Sequence, residues 1–177
     1  MVLLDLEHKL AYVAYLVWLA FGLWDFLLHR RSSLPTTSGL RESGLHGLQI
    51  AVVGCGVFVW GALESSWSVA LFLLALALLH AFFGVWDTIV ADQLRRVVPA
   101  EQHVHSVLDL APWGFVGWVA WNADPTWNLS WSPLEPIVWL ALIAPVVPAV
   151  LGPWLVELIE CIAVKRRRAS IDRPLAG

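Results

Sequence analysis

Charge is what this sequence is short of. Only 14% of its residues are Asp, Glu, Lys or Arg, against roughly 25% in a soluble domain. So few charges cannot clothe a water-facing surface, which excludes a freely soluble globule. Cysteine is scarce as well. Cys55 and Cys161 are the only two; they fall in different segments and form no CxxC spacing, which argues against a thiolate metal site and against a structural disulfide. There is no GxGxxG run, hence no dinucleotide-binding fingerprint, and no nucleic-acid partner is expected. Met1 to Lys9 lack the basic start and the small-residue cleavage site of a secretion signal, so the first apolar stretch is expected to be retained as a membrane span.

What fills the 177 residues instead is apolar: 59% of them are hydrophobic and the mean hydropathy is +0.70. The apolar residues lie in long runs rather than in amphipathic alternation. A hydrocarbon core about 30 Å thick is crossed by about 20 residues of helix, and five runs reach that length, at residues 9–29, 43–64, 67–90, 102–121 and 136–164. The expected fold is therefore all-α: a polytopic integral membrane bundle of five transmembrane helices over residues 1–164, followed by a basic cytoplasmic tail, 165–177, that binds anionic lipid or stays disordered. Pro145, Pro148 and Pro153 predict a kink in the fifth run, its freed carbonyls satisfied by neighbouring helices.

The cations orient the bundle. Of eleven Lys and Arg residues, all but Lys9 lie in the first connection (Arg30, Arg31, Arg41), the third (Arg95, Arg96) or the tail. By the positive-inside rule the N-terminus is outside and the C-terminus cytoplasmic, as expected of a protein of the bacterial inner membrane. Trp60, Trp67, Trp121, Trp127, Trp131 and Trp139 then gather at the outer interface, where amphipathic indoles belong.

Against this background the ionisable residues inside the runs stand out, because such groups persist in hydrocarbon chiefly when paired, hydrated or bound. Asp25 and His29 close the first run; Glu42 and His46 open the second. His80 and Asp87 lie in the inner half of the third, and Glu101, His105 and Asp109 open the fourth. Spacings of four and seven residues place each set on one helix face, about 40° and 20° apart respectively. His80 and Asp109 are expected deepest, on the order of 10–15 Å below the inner surface at 1.5 Å per residue, with His29, His46 and Asp87 forming the rim.

Four helices thus deliver imidazoles and carboxylates to one leaflet, which points to metal: such ligands suit iron, manganese and zinc, and inward Glu and His residues on a four-helix bundle are the recurring way to hold a metal pair. A lone zinc needs only four ligands and leaves several acids unexplained. In its ligand types the set resembles the broad class of non-haem di-iron enzymes, which includes membrane hydroxylases and desaturases. Their HxxxH and HxxHH boxes are absent here, as is the Glu-x-x-His spacing of ferritin-like proteins.

The resemblance implies an oxidoreductase, of monooxygenase or desaturase type, with two non-haem iron ions held by Asp25, His29, Glu42, His46, His80, Asp87, Glu101, His105 and Asp109. It would act with O₂ on an apolar or lipid-like small-molecule substrate reached from the surrounding membrane lipid, with electrons from a separate donor. The alternatives are haem b between His80 and His46 or His105, manganese in place of iron, a zinc hydrolase, and a metal-binding subunit of a larger complex; a metal or proton transporter is argued against by the lack of polar residues in the outer half of the first four runs. Oligomeric state is left open. His103, about 160° from His105 on the helix, is expected at the interface, and His8 on the opposite side of the membrane. Asp92 is expected to pair with Arg95 or Arg96. Glu157 and Glu160 are expected to pair with the basic tail, Glu157 having a second possible role as a ligand or in a proton path.

Overall fold

The computed structural model describes residues 6–171. Residues 1–5 and 172–177, which carry the start of the N-terminal segment and the end of the basic tail, lie outside them, as does the side chain of His8. Helix makes up 83% of the structure and there are no strands among the described residues. The helices are α1 (Leu6–Arg31), α2 (Leu40–Ala62), α3 (Trp67–Leu94), α4 (Pro99–Trp121), α5 (Pro136–Val146) and α6 (Gly152–Ile171). A five-residue π-helical turn, Val147–Leu151, joins the last two into one rod.

Four segments are long and apolar enough to cross a membrane: Lys9–Arg31, Leu40–Ala62, Trp67–Leu94 and Pro136–Ile171. Polar residues explain why α4 falls outside that set, since Glu101, His103, His105 and Asp109 occupy its first half. Its buried face is nevertheless apolar beyond them. Val119 of α4 packs with Val69, Ala70 and Leu73 of α3 in the main hydrophobic cluster, with Trp60 and Phe115 against it.

The two ends of the bundle differ in kind. One is basic. Arg31 is followed by a 3₁₀ turn at Leu34–Thr36, with Ser33 in the left-handed region (φ 57°), and Gly39 (φ 56°) starts α2. Arg168 donates to the Thr36 carbonyl at 2.8 Å, so α6 ends beside this turn. The segment expected to leave the bundle as a tail after Val164 instead continues as helix to Ile171.

The other end is rich in tryptophan. There the chain between α4 and α5 is stitched to the α2–α3 corner by backbone hydrogen bonds. Glu64 N–H donates to Ser130 O (3.0 Å), Trp67 N–H to Thr126 O (3.1 Å), Asp124 N–H to Ser65 O (3.0 Å), Ser132 N–H to Ala62 O (3.1 Å) and Leu134 N–H to Gly61 O (2.8 Å). Ser66 caps α3 by accepting from the Val69 N–H, the usual way of satisfying an orphan donor at a helix start. Trp121, Trp127 and Trp131 are exposed at this end, in keeping with an interfacial belt.

In the proline-rich rod a neighbouring helix satisfies a freed carbonyl, as expected. Pro145 removes the donor that would serve the Ala141 carbonyl, and Tyr12 of α1 donates its hydroxyl to that carbonyl at 3.1 Å. Tyr15, one turn on, donates to Leu142 O at 2.5 Å. A buried carbonyl with no partner is costly in hydrocarbon, so these two phenols fasten α1 to the kink.

Candidate metal centre

Seven of the nine predicted site residues converge. Asp25, His29, Glu42, His46, Asp87, Glu101 and His105 come from α1, α2, α3 and α4, and each is no more than 8% exposed. The local reason is the spacing within each helix: Asp25 and His29, Glu42 and His46, and Glu101 and His105 are each four apart, so both members face the interior.

His29, completely buried, is the hub. Its Nε2 lies 3.6 Å from Asp25 Oδ1, 3.6 Å from Glu42 Oε1 and 3.4 Å from Glu101 Oε1. His105 Nε2 is 3.0 Å from Asp25 Oδ1, and His46 Nε2 is 3.3 Å from Asp87 Oδ2. Ligand atoms of Asp25, His29 and His105 fall within 4.8 Å of one another, as do those of His29, Glu42 and His46. His29 is common to both groups.

Two residues that the sequence did not assign to this site complete it. Glu157 of α6, expected chiefly in a surface pair with the tail, is 6% exposed and reaches between two imidazoles. Its Oε2 is 3.3 Å from His29 Nδ1 and its Oε1 is 3.0 Å from His46 Nδ1. The two rings stack with centroids 4.6 Å apart and planes 1° apart. A carboxylate that engages both Nδ1 atoms turns both Nε2 atoms toward the acids, the arrangement by which outer carboxylates orient ligating histidines.

Glu157 is held there by its own helix. Trp154, one turn earlier, donates Nε1–H to Ser43 O at 3.0 Å. Its indole lies so close to Gly47 that a Cβ on Gly47 would meet Trp154 Cζ2 at 2.7 Å. The bare backbone of α2 at Gly47 thus admits α6 to the site. No local sequence signature announces Glu157, because its partners are on helices far away in the chain; its companion Trp154 and the facing Gly47 are the only hints.

Arg95 is the second addition. It was expected to pair with Asp92; instead, just past the end of α3, it spans Glu42 and Glu101. Nε donates to Glu42 Oε2 at 3.1 Å, Nη2 to Glu42 Oε1 at 2.5 Å and Nη1 to Glu101 Oε2 at 2.9 Å, while Nη2 also contacts Glu101 Oε1. Burial opposes the guanidinium charge, but hydrogen bonds to Glu101 and Glu42 outweigh it and raise the Arg95 pKa further. It is a permanent cation here. Glu160 is exposed and pairs with Arg30 at the end of α1, at 3.6 Å, rather than with the basic tail as expected.

His80 and Asp109 stand apart from the cluster. His80 Nδ1 is 3.9 Å from Asp109 Oδ1, and the Asp109 side chain is 42% exposed. The Asp109 carboxylate lies on Gly84, where a Cβ would meet Asp109 Oδ1 at 2.8 Å. A cavity of about 30 Å³ separates Asp109 from the cluster, walled by Asp25, His46, Asp87 and His105 with Gln49, Gly84 and Leu108. That is room for an ion or a water molecule. His103 is exposed, as its helical position requires.

The site is unfinished in polar terms. Asp25 Oδ1, His29 Nε2, His46 Nε2 and Asp87 Oδ1 are all buried without a hydrogen-bond partner; their short contacts lack hydrogen-bond geometry. Each such group costs about 1–3 kcal/mol. All four are atoms of a kind that can ligate metal; Asp25, His46 and Asp87 line the small cavity, and His29 meets Asp25 and His46 in the two converging groups. Five buried carboxylates (Asp25, Glu42, Asp87, Glu101, Glu157) face one guanidinium, which leaves four negative charges when the imidazoles are neutral. Two divalent cations would neutralise them. No family model, curated protein or solved structure matches the chain, so the chemistry of these side chains is the ground for assigning a function.

Proposed function

We propose that the chain is a five-span integral membrane protein, N-terminus outside and basic end in the cytoplasm, that holds two metal ions and works as an oxidoreductase. Iron is the metal and O₂ the oxidant in this reading, and the substrate is apolar. The observation that carries the metal is the set of four orphaned ligand atoms, two of them imidazole Nε2 atoms aimed by one carboxylate. In support of the fifth span, α4 begins at the acids beside Arg95 and ends where its following loop is tied to the α2–α3 corner. It therefore runs the same length as its neighbours.

Asp25, His29, Glu42, His46, Asp87, Glu101 and His105 are the ligand set. Imidazole and carboxylate donors fit iron, manganese and zinc, and copper(I) poorly. Cys161 lies one turn beyond Glu157 but offers no sulfur to either ligand group. Iron, when bound, would activate O₂ with electrons delivered by the separate donor. The residues of the chain do the rest. Glu157 fixes the tautomer of His29 and His46 by engaging Nδ1. Arg95 draws Glu42 and Glu101 together and lowers the negative charge that the metals must meet. Surrounding hydrocarbon keeps bulk water from the site. A haem between His80 and His46 is disfavoured, since His46 is stacked on His29 with its Nδ1 on Glu157.

Elemental analysis and an optical spectrum of protein purified in detergent without chelator test this reading. Two irons per chain are expected. One zinc without visible absorption would make the site hydrolytic, a Soret band would make it a haem carrier, and protein with no stoichiometric metal would end the proposal.

A further inference from the structure

A space far larger than the one at the polar site lies elsewhere in the bundle. A cavity of about 650 Å³ lies in the half of the bundle toward the tryptophan-rich end, within the range of small-molecule pockets. Its walls come from α1 through α5, and almost all are apolar or aromatic, with Tyr15, Trp18, Trp60, Phe115 and Trp118 among them. Along α4 it extends from Ala111 to Asn122, about 16 Å at 1.5 Å per residue.

At its inner end stands one imidazole, His80. That residue is 5% exposed, and its one charged neighbour, Asp109, is at 3.9 Å, beyond hydrogen-bond distance. Tyr12 and Tyr15, also on the wall, have committed their hydroxyl protons to α5 carbonyls. Two polar groups of the cavity wall thus have hydrogen bonds still to make: His80 at the inner end, and the Trp18 Nε1–H, which is buried without a partner. Asp109 behind it lines the small cavity that opens on the metal ligands, so the His80–Asp109 contact is the seam between the two spaces.

We propose that this cavity binds one uncharged lipophile, its single oxygen-bearing head (carbonyl or hydroxyl) at His80 and its apolar body running toward the tryptophan-rich end. The depth of His80 decides the charge. Thirteen residues into α3 from Trp67, it lies about 20 Å along the helix axis, where an ionised phosphate or carboxylate head would be prohibitively costly. Phospholipids and ionised fatty acids are therefore poor occupants. Quinones and long-chain alcohols share the required head, and the aromatic walls suit a flat ring. For the role of the bound molecule, as substrate or electron donor of the metal centre, the inference rests on the function proposed above. Binding itself does not.

The test is a titration of the purified protein in lipid nanodiscs with a decyl-substituted benzoquinone, following quenching of the tryptophans that line the cavity. Hexadecanol and hexadecane serve as competitors, and metal content is measured on the same samples. Saturable quenching at one site per chain is expected, displaced by the alcohol far better than by the alkane if the site takes any such head. An alcohol that fails to compete narrows the occupant to the quinone. His80→Ala should weaken the quinone about tenfold, the value of one hydrogen bond. Gly114→Phe and Val53→Phe, each adding bulk at the wall, should weaken it at least as much; a Cβ at Gly114 meets nothing within 4 Å, so that variant is expected to fold. Quenching that rises linearly in every variant means partition into lipid only and overturns the proposal, as does equal competition by the alkane. Unchanged metal content in the cavity-filled variants keeps this outcome separate from that of the metal centre.

Discussion

Glu157→Gln is the most searching single substitution, because it keeps the shape of the side chain and changes only what it can accept. In the native site each carboxylate oxygen faces one Nδ1, at 3.3 Å for His29 and 3.0 Å for His46. A neutral glutamine presents one oxygen and one NH₂ group. At most one imidazole keeps an acceptor at Nδ1; the other faces a donor and must turn its lone pair there, placing the proton on Nε2, where it blocks metal. Removal of such an orienting partner costs metal affinity about 10- to 100-fold per ligand. Since both groups of ligand atoms contain His29, the loss should lie near the upper figure, equivalent to roughly 2.7 kcal/mol. The assay is competition for the metal against chelators of graded strength, with residual metal read by elemental analysis. Wild-type affinity in Glu157→Gln would refute the claim that this carboxylate aims the imidazoles. A variant that loses metal and also loses helicity would not be informative alone, so circular dichroism accompanies it and unchanged helix content is expected.

Arg95→Gln leaves Glu42 and Glu101 buried without their shared cation. It should destabilise metal-free protein by about 3 kcal/mol, the low end for a broken buried pair, and divalent metal should restore more stability to it than to wild type in a detergent unfolding titration. Gly47→Ala should push Trp154 from its seat and cost about 1–3 kcal/mol as an overpacking change, with weaker metal binding. Gly44→Ala, where an added Cβ meets nothing within 4 Å, should be neutral or mildly stabilising by helix propensity in the same titration. Tyr12→Phe strands the Ala141 carbonyl that Pro145 leaves without a donor, and Tyr15→Phe removes the second hydrogen bond to the rod, at Leu142; each should lower stability by about 0.6–1.7 kcal/mol, as interhelical hydrogen bonds in membranes do. The double variant should exceed either alone.

How much of this was legible in the sequence depended on whether the signal was local. Apolar runs place helices because length and hydropathy are properties of a segment. The run at 9–29 appears within Leu6–Arg31 and that at 67–90 within Trp67–Leu94, with boundaries displaced by a few residues where polar caps and connections continue the helix. The run at 136–164 was legible as proline-kinked, yet its division by a π-helical turn was not. Pairs four apart placed Asp25, His29, Glu42, His46, Glu101 and His105 on inward faces, and all are buried together. His80 and Asp109 share the same style of spacing and still sit to one side, since spacing fixes direction around a helix but not which neighbour is met. Glu157 and Arg95 were misjudged for the converse reason. A glutamate near a basic tail and an arginine at a helix end look like ordinary interfacial charges until the distant helices that receive them are in place.

The π-helical turn at Val147–Leu151 has a consequence for everything that follows it. One extra residue in a helix rotates the downstream segment by about 100°, the angle each residue occupies at 3.6 per turn. The azimuth of Trp154 and Glu157 is therefore indexed by this single widened turn, upstream of both. Excising one residue from it would swing the glutamate a quarter-turn or more around the rod while leaving hydropathy, length and the basic end nearly as they are. The chain thus stores the angular setting of one of its buried acids in a stretch, Val-Pro-Ala-Val-Leu, that contains no ionisable atom at all.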